Sequence, residues 1–328
     1  MQTGELTESV RNRSVFKQLH LKTADMRGWC KGDLSAWRIS TAGPLPGYTD
    51  RPWRQVTAAA NSLAASGVTP LTLCLQGILP ETYEEARLQK DMEQFAAEAE
   101  SNGMKFCDAD IQISSATTLP QYFVTAFGEN GEEAPACRQY SDMEAFREKL
   151  TLELGQELVV TRQIALAGTA ALVLAHENEL RNRYPFQLID RAKGFDRWMS
   201  ITEAARAVNH FGGCPVRCIA QGGIFNALWE MAEEAGVGLE VELKKIPVMQ
   251  ETIEICEYFD MNPYYLYSAG ALLIGTRQAE ALIAFLREVG IPACVIGRVT
   301  DSNDRIIRNG ENRRFLDRPR QDELWKIR

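Results

Sequence analysis

Histidine is scarce in this 328-residue sequence, which holds three. The scarcity argues against an imidazole-based metal centre. The closest cysteine pair, Cys214 and Cys218, then lacks the further ligands of a four-coordinate zinc site. Cationic excess is missing too: 36 Lys and Arg against 44 Asp and Glu leave a net charge of −8. That balance speaks against a general surface for nucleic acid or anionic membrane. No apolar run approaches the roughly 18 residues of a membrane span. The opening stretch MQTGELTESVRNRSV has charges with no apolar core behind them, so neither a signal peptide nor membrane attachment is expected. Neither GxxxxGK[ST] nor a strand-linked GxGxxG occurs, which leaves the common nucleotide folds unsupported. What remains is 45% hydrophobic and 24% charged, ordinary for a globular protein and long enough for two domains.

Eight cysteines (Cys30, Cys74, Cys107, Cys137, Cys214, Cys218, Cys256 and Cys294) are scattered along the chain. Most sit in apolar runs such as LTLCLQ and PACVIG, where a reduced thiol behaves as a small hydrophobe. Buried thiols in a cytoplasmic protein are the expectation.

The chain reads as two domains, 1–150 and 151–328, with the polar stretch GENGEEAPACRQYSD (128–142) as linker. In the first, a short alternating segment over Ala36–Ser40 leads into a proline- and glycine-rich loop. QVTAAANSLAASG follows as a helix stopped by Gly67, and LTLCLQGIL (71–79) as a buried strand. Leu88, Met92, Phe95, Ala96 and Ala99 share one face of a helix over Thr82–Ser101. Lys105–Ile113 and Gln121–Phe127 read as strands. The second half repeats the grammar: strand Glu157–Leu166, helix 168–185, a glycine-opened helix, strand GLEVELKKIP, and helix MQETIEICEYFDMNP. Strand SAGALLIGT, a helix marked by Ala279, Leu282, Ile283 and Leu286, and strand PACVIGRVT complete it. An arginine-rich tail, 298–328, is expected to pack through Leu316 and Trp325. Helices after strands in both halves give an α+β or α/β layered architecture.

Gly222 and Gly223 run straight into a helix whose Phe225, Leu228, Trp229 and Ala232 lie on one face. Glycines there point to anion capture by the helix N-terminus, or to a turn or close packing that needs positive φ. Arg162 and Arg217 are candidate countercharges or surface residues. Cys218 is a nucleophile if its pKa is lowered and an inert thiol if it is buried. His176 reads as a packed or solvated helix residue. Asp108 and Asp110, two apart on one strand face, are metal ligands or a solvated pair. Asp33 is a ligand or a turn cap.

Taken in order, these blocks resemble the AIR-synthase superfamily, which includes aminoimidazole-ribonucleotide synthetase, the hydrogenase maturation factor, thiamine-monophosphate kinase and selenophosphate synthetase. The likeness rests on ELVVTRQIALAGTA (157–170), QGGIFNALWEMAEEAGVGLEVELKKIP (221–247), ETIEICEYFDMNPYYLYSAGALLIGT (251–276) and IPACVIGRVT (291–300). KGDLSAW (31–37), IST (39–41) and AAANSLAASGVTP (58–70) carry it in the first half. The resemblance implies a two-domain α+β, PurM-like fold. Its N-terminal mixed sheet, with helices, dimerises into a barrel, and its C-terminal domain is an α/β sandwich. It also implies ATP with Mg²⁺ and phosphorylation of a small acceptor. Gly32, Asp33, Thr41, Asn61, Asp108, Gly222 and Gly223 fall at nucleotide positions, and Asp33, Asp108 and Asp110 at metal positions. The implied partners are a second copy of the chain or an active paralogue in a heterodimer, and a nucleotide or small anionic metabolite.

The departures from that pattern concern charge. The family loop Gly-Asp/Glu-Asp-Ala-Ala is here Gly32-Asp33-Leu34-Ser35-Ala36, and Ser-Thr-Asp is Ser40-Thr41-Ala42. Asn-Asp is Asn61-Ser62, and the Gly-Gly-x-Thr/Ser stretch corresponds to Asp108-Ala109-Asp110-Ile111. Asp-x-Thr-x-Gly-Gly is Cys218-Ile219-Ala220-Gln221-Gly222-Gly223. Losing these acids removes the charges that hold a metal against phosphates. A degenerate site is expected. The sequence ends DELWKIR with no cysteine after Cys294, so carbamoyl dehydration on a tail thiol is not expected.

Overall fold

A computed structural model describes residues 4–21, 37–45, 47–130, 151–212 and 214–326. Gly32 to Ala36, and with them Asp33 and Leu34, lie outside the described residues. The chain forms two compact units that divide after Gly131, with Ala65–Gly67 counted to the second.

The first unit begins with β1 (Gly4–Glu5) and α1 (Glu8–Val10), which runs into a π-helical turn over Arg11–Phe16. Then come β2 (Trp37–Ala42), α2 (Arg54–Ala65), β3 (Val68–Leu79), α3 (Glu85–Ser101), β4 (Lys105–Ile113) and β5 (Gln121–Asn130). The five strands lie in the order β1-β4-β3-β5-β2, with β3 and β4 parallel and the other pairs antiparallel.

Period-2 alternation gives the sheet two faces. On the inner face Leu73, Leu75, Ala109, Ile111, Val124 and Ala126 form one core with Val56, Ala59 and Leu63 of α2 and Leu88, Met92 and Phe95 of α3. Burying Phe95 alone is worth about 2–3 kcal/mol by area. Gly67 (φ +77°) follows α2 as expected, since positive φ is the conformation glycine adopts without a Cβ penalty. Two expectations need correction. Strand β3 starts at Val68 and is buried on one face only: Leu71 and Ile78 point outward, each 39% exposed. Gly128–Asn130, assigned above to the linker, complete β5 because they pair with Val68–Pro70.

The second unit contains β6 (Glu157–Thr161), α4 (Leu166–Arg181), α5 (Phe186–Lys193), α6 (Thr202–Phe211), β7 (Val216–Ile219), α7 (Gly223–Ala235) and β8 (Gly238–Glu242). It continues with α8 (Gln250–Tyr258), β9 (Ala271–Thr276), α9 (Ala279–Glu288), β10 (Ala293–Thr300), β11 (Arg305–Asn309) and β12 (Asn312–Phe315). The seven strands lie in the order β12-β11-β8-β10-β6-β9-β7, with only β11 and β8 parallel among them. Strand β9 is buried along its whole length, which explains its uninterrupted apolar run ALLIGT. β6 stops at Thr161, short of the expected Leu166, because Arg162 and Ala165 both take positive φ (+55° and +61°).

The tail also departs from expectation. It contributes the β11–β12 hairpin to the sheet. Leu316 is buried as expected, but Trp325 is 51% exposed and its neighbour Leu324 is the buried anchor. The fold class is α+β, as the resemblance implied.

Candidate functional site

Helix α7 starts at a turn that only glycine fits. Gly222 (φ +75°) and Gly223 (φ +65°) are both left-handed. A Cβ on Gly223 would stand 2.4 Å from the Tyr264 carbonyl oxygen, and one on Gly222 would strike the Asn226 side chain. The turn is pressed onto the 264–268 backbone: the Ala220 carbonyl accepts from Gly223 N at 3.2 Å and from Ser268 N at 3.2 Å. Phe225 stacks on Tyr264 with ring centroids 5.0 Å apart and meets Tyr265 edge-on.

A carboxyl group does sit at this helix start, and the chain supplies it. The Gly222 N–H donates to Asp322 Oδ2 at 2.7 Å, and the Leu324 N–H donates to Asp322 Oδ1 at 3.0 Å. Asp322 is only 4% exposed. Burial lifts its pKa above the ordinary carboxylate range, against the opposing effect of the backbone N–H groups of Leu324, Gly222 and Tyr267. Asn226 fastens the same tail twice, donating to the Arg320 carbonyl at 2.7 Å and accepting from the Arg320 N–H at 3.0 Å. Glu323 accepts from the Asn262 N–H at 3.2 Å. Asp322 is separated by 100 residues from its partner and was missed in the sequence. A single acid in a polar tail carries no periodicity or motif to mark it.

The arginines considered above are engaged elsewhere. Arg162 donates to the carbonyls of Ser200 (2.8 Å), Trp198 (3.2 Å) and Gly270 (3.4 Å), a clamp between segments. Arg217 pairs with Glu230 at 3.0 Å and with Glu234. Burial pushes the Cys218 pKa up to about 12, which favours the protonated thiol over a nucleophilic thiolate. His176 packs on the Phe259 ring and faces Glu179.

In the first unit, the predicted residues fall on different surfaces. Cross-strand pairing aligns Asp108 with Cys74, Cys74 with Thr125, and Thr125 with Thr41. These four form one row across the outer face. Three strand spacings put Thr41 roughly 14 Å from Asp108. Asp108 accepts from the Ala109 N–H at 2.8 Å, and Asp110 accepts from Gln112 at 3.2 Å. Asn61 is buried on α2, the helix that covers the inner face. Among the described residues, no three His, Cys, Asp or Glu side chains come together to hold a metal.

Residues 153–308 match the family described as AIR synthase related protein, C-terminal domain. Carbamoyl dehydratase HypE of Rhodobacter capsulatus is 29% identical over 251 residues, 74% of this chain and 68% of that protein. Residues 153–308 thus carry an AIR synthase-related C-terminal domain. Solved structures share the fold of this chain. E. coli HypE, a hydrogenase maturation protein, superposes with a TM-score of 0.74 at 18% identity, covering 97% of this chain and all of that one. Hydrogenase maturation protein HypE in complex with ATP gives 0.73 at 17% identity, covering 97% and 96%. The glycine-opened helix therefore lies inside the matched AIR synthase-related domain, while Asp322 comes from beyond its last matched residue. Among the described residues, no helix is long and apolar enough to cross a membrane.

Proposed function

We propose that this chain is a hydrogenase-maturation-factor-like member of the AIR-synthase superfamily that keeps the ATP scaffold but has weak or absent magnesium-dependent phosphoryl chemistry. One observation carries the reading. The turn that opens α7 is already occupied by Asp322, a buried carboxyl group that accepts from the Gly222 N–H. A phosphate arriving there must first displace that group, because the N–H it would need is already taken.

The donor set around the implied magnesium does not fit a Mg-triphosphate. Ala42 and Ser62 stand where the family has acids, and the Cys218 thiol stays protonated. Asp108 and Asp110 share β4, but Thr41 and Asn61 are not beside them. Asp33 lies outside the described residues. No step of transfer is therefore derived through the metal.

The test is isothermal titration of the full chain with Mg-ATP. No saturable heat is expected up to about 1 mM nucleotide. A saturable, stoichiometric isotherm abolished by Asp110→Asn would replace this reading with an active kinase or synthetase that has a redistributed metal site.

A second reading concerns assembly. Ile39 is 64% exposed and lies on the same sheet face as Leu71, Ile78 and Phe123. A sheet face that carries this much apolar surface calls for a cover. We infer that it pairs two copies of the chain, with an active paralogue as the alternative partner. Light scattering after size exclusion should give a dimer for the wild type and a monomer for Ile39→Asp. A monomeric wild type defeats the homodimer reading.

A further inference from the structure

Strands β3 and β4 are parallel neighbours, and their ladder slips once. Leu73 pairs with Phe106, but Cys74 pairs with Asp108. Cys107 is left as the extra residue of a β-bulge, a feature rare between parallel strands. Freed from the pleat's alternation, its Sγ comes to 3.2 Å from Cys74 Sγ. A second contact, 3.2 Å to the Leu73 carbonyl, fixes the Cys107 thiol in that direction. About 1 Å of further approach separates the two sulfurs from the ~2.05 Å of a disulfide. Cys107 is buried, whereas Cys74 is half-buried on the outer face.

We propose that Cys74 and Cys107 are an oxidative modification site, which closes to a disulfide across β3 and β4 when the protein meets hydrogen peroxide. The Cys74 thiolate attacks one peroxide oxygen and the O–O bond breaks. Hydroxide leaves and takes up a proton as water, and Cys74 becomes a sulfenic acid. Cys107 Sγ then attacks Cys74 Sγ, the S–O bond breaks, and the second oxygen leaves as water with the remaining thiol proton. Two thiols lose two electrons and peroxide is reduced to two waters. The first step needs a thiolate within the pair. The hydrogen bond from Cys74 brings Cys107 down to about 7, against the effect of burial, and proton exchange across the 3.2 Å contact carries the charge to half-buried Cys74, where peroxide reaches it. The other described cysteines face the opposite way: burial raises Cys214, Cys218, Cys256 and Cys294. The pair is therefore the first site to react among the described cysteines.

Wild-type protein and the Ile39→Asp variant, whose outer face is open if that face pairs copies, are treated with stoichiometric hydrogen peroxide and blocked with iodoacetamide. The intact mass is expected to fall by two hydrogens, with loss of two alkylatable thiols, reversed by dithiothreitol. Tryptic digestion followed by cleavage before Asp108 separates Cys107 from Cys137 and identifies the linked pair. Cys107→Ser should stop at a dimedone-reactive sulfenic acid on Cys74. A Cys74–Cys107 link in either protein supports the site. Its absence from both, or oxidation at Cys137, Cys214 or Cys294 in its place, overturns it.

Discussion

The outer face of the first sheet and the start of α7 in the second unit present similar polar groups and treat them in opposite ways. On the sheet, Thr41, Thr125, Cys74 and Asp108 form a row beside exposed Ile39, and Asp108 accepts from the next residue's N–H. At the helix, the chain's own tail makes the contacts: Asp322 on the Gly222 N–H, Asn226 on Arg320, and Glu323 on the Asn262 N–H. The open face retains its capacity to bind something. The closed helix start has spent its capacity on the chain's own tail, which ties residues 320–326 down.

The sharpest way to break this contrast is at Gly223. An alanine there meets the Tyr264 carbonyl at 2.4 Å in a left-handed backbone. Gly223→Ala should lower unfolding stability by about 3 kcal/mol, read from urea melts. A neutral result would mean that the turn relaxes freely.

Next in size is Asp322→Ala, which strands the backbone N–H groups of Gly222, Leu324 and Tyr267. A loss of about 2 kcal/mol is expected, with faster proteolysis of the tail. If this variant gains saturable phosphate or ATP binding, the closed site is a displaceable one.

Asp322 also sets a pH signature. Its folded pKa is raised, so the folded state holds the proton more tightly than the unfolded chain. Its contribution to stability is greatest below the ordinary aspartate pKa and declines as pH rises through the folded value. Asp322→Asn should flatten that slope in stability measured between acid and neutral pH.

The smallest effects belong to the open face. Asp110→Asn should change stability by less than about 0.5 kcal/mol, since Asp110 is exposed and accepts from the neighbouring Gln112 side chain. A larger loss would show that the face is built around that carboxylate.

Much of the architecture was legible before any coordinates. The 3.6-residue spacing of Leu88, Met92, Phe95 and Ala99 fixed α3, and the alternation in KFCDADIQI fixed β4, because burial acts on local periodicity. The tail was misread at Trp325, since a large apolar residue in sequence carries no record of whether space exists to bury it. The site was legible only in part. Gly222 and Gly223 announced a special turn, but two expectations, an anion cradle and a close backbone approach, fit the same letters.

Sequence by itself determined that α3, β4 and the glycine-opened α7 form, and that Ala42 and Ser62 carry no charge, because these are properties of local pattern and residue identity. Only the tertiary structure decided that Asp322 occupies the start of α7 and that a bulge joins Cys74 to Cys107. Both depend on distant backbone segments meeting at hydrogen-bond distance, and no local propensity encodes that meeting.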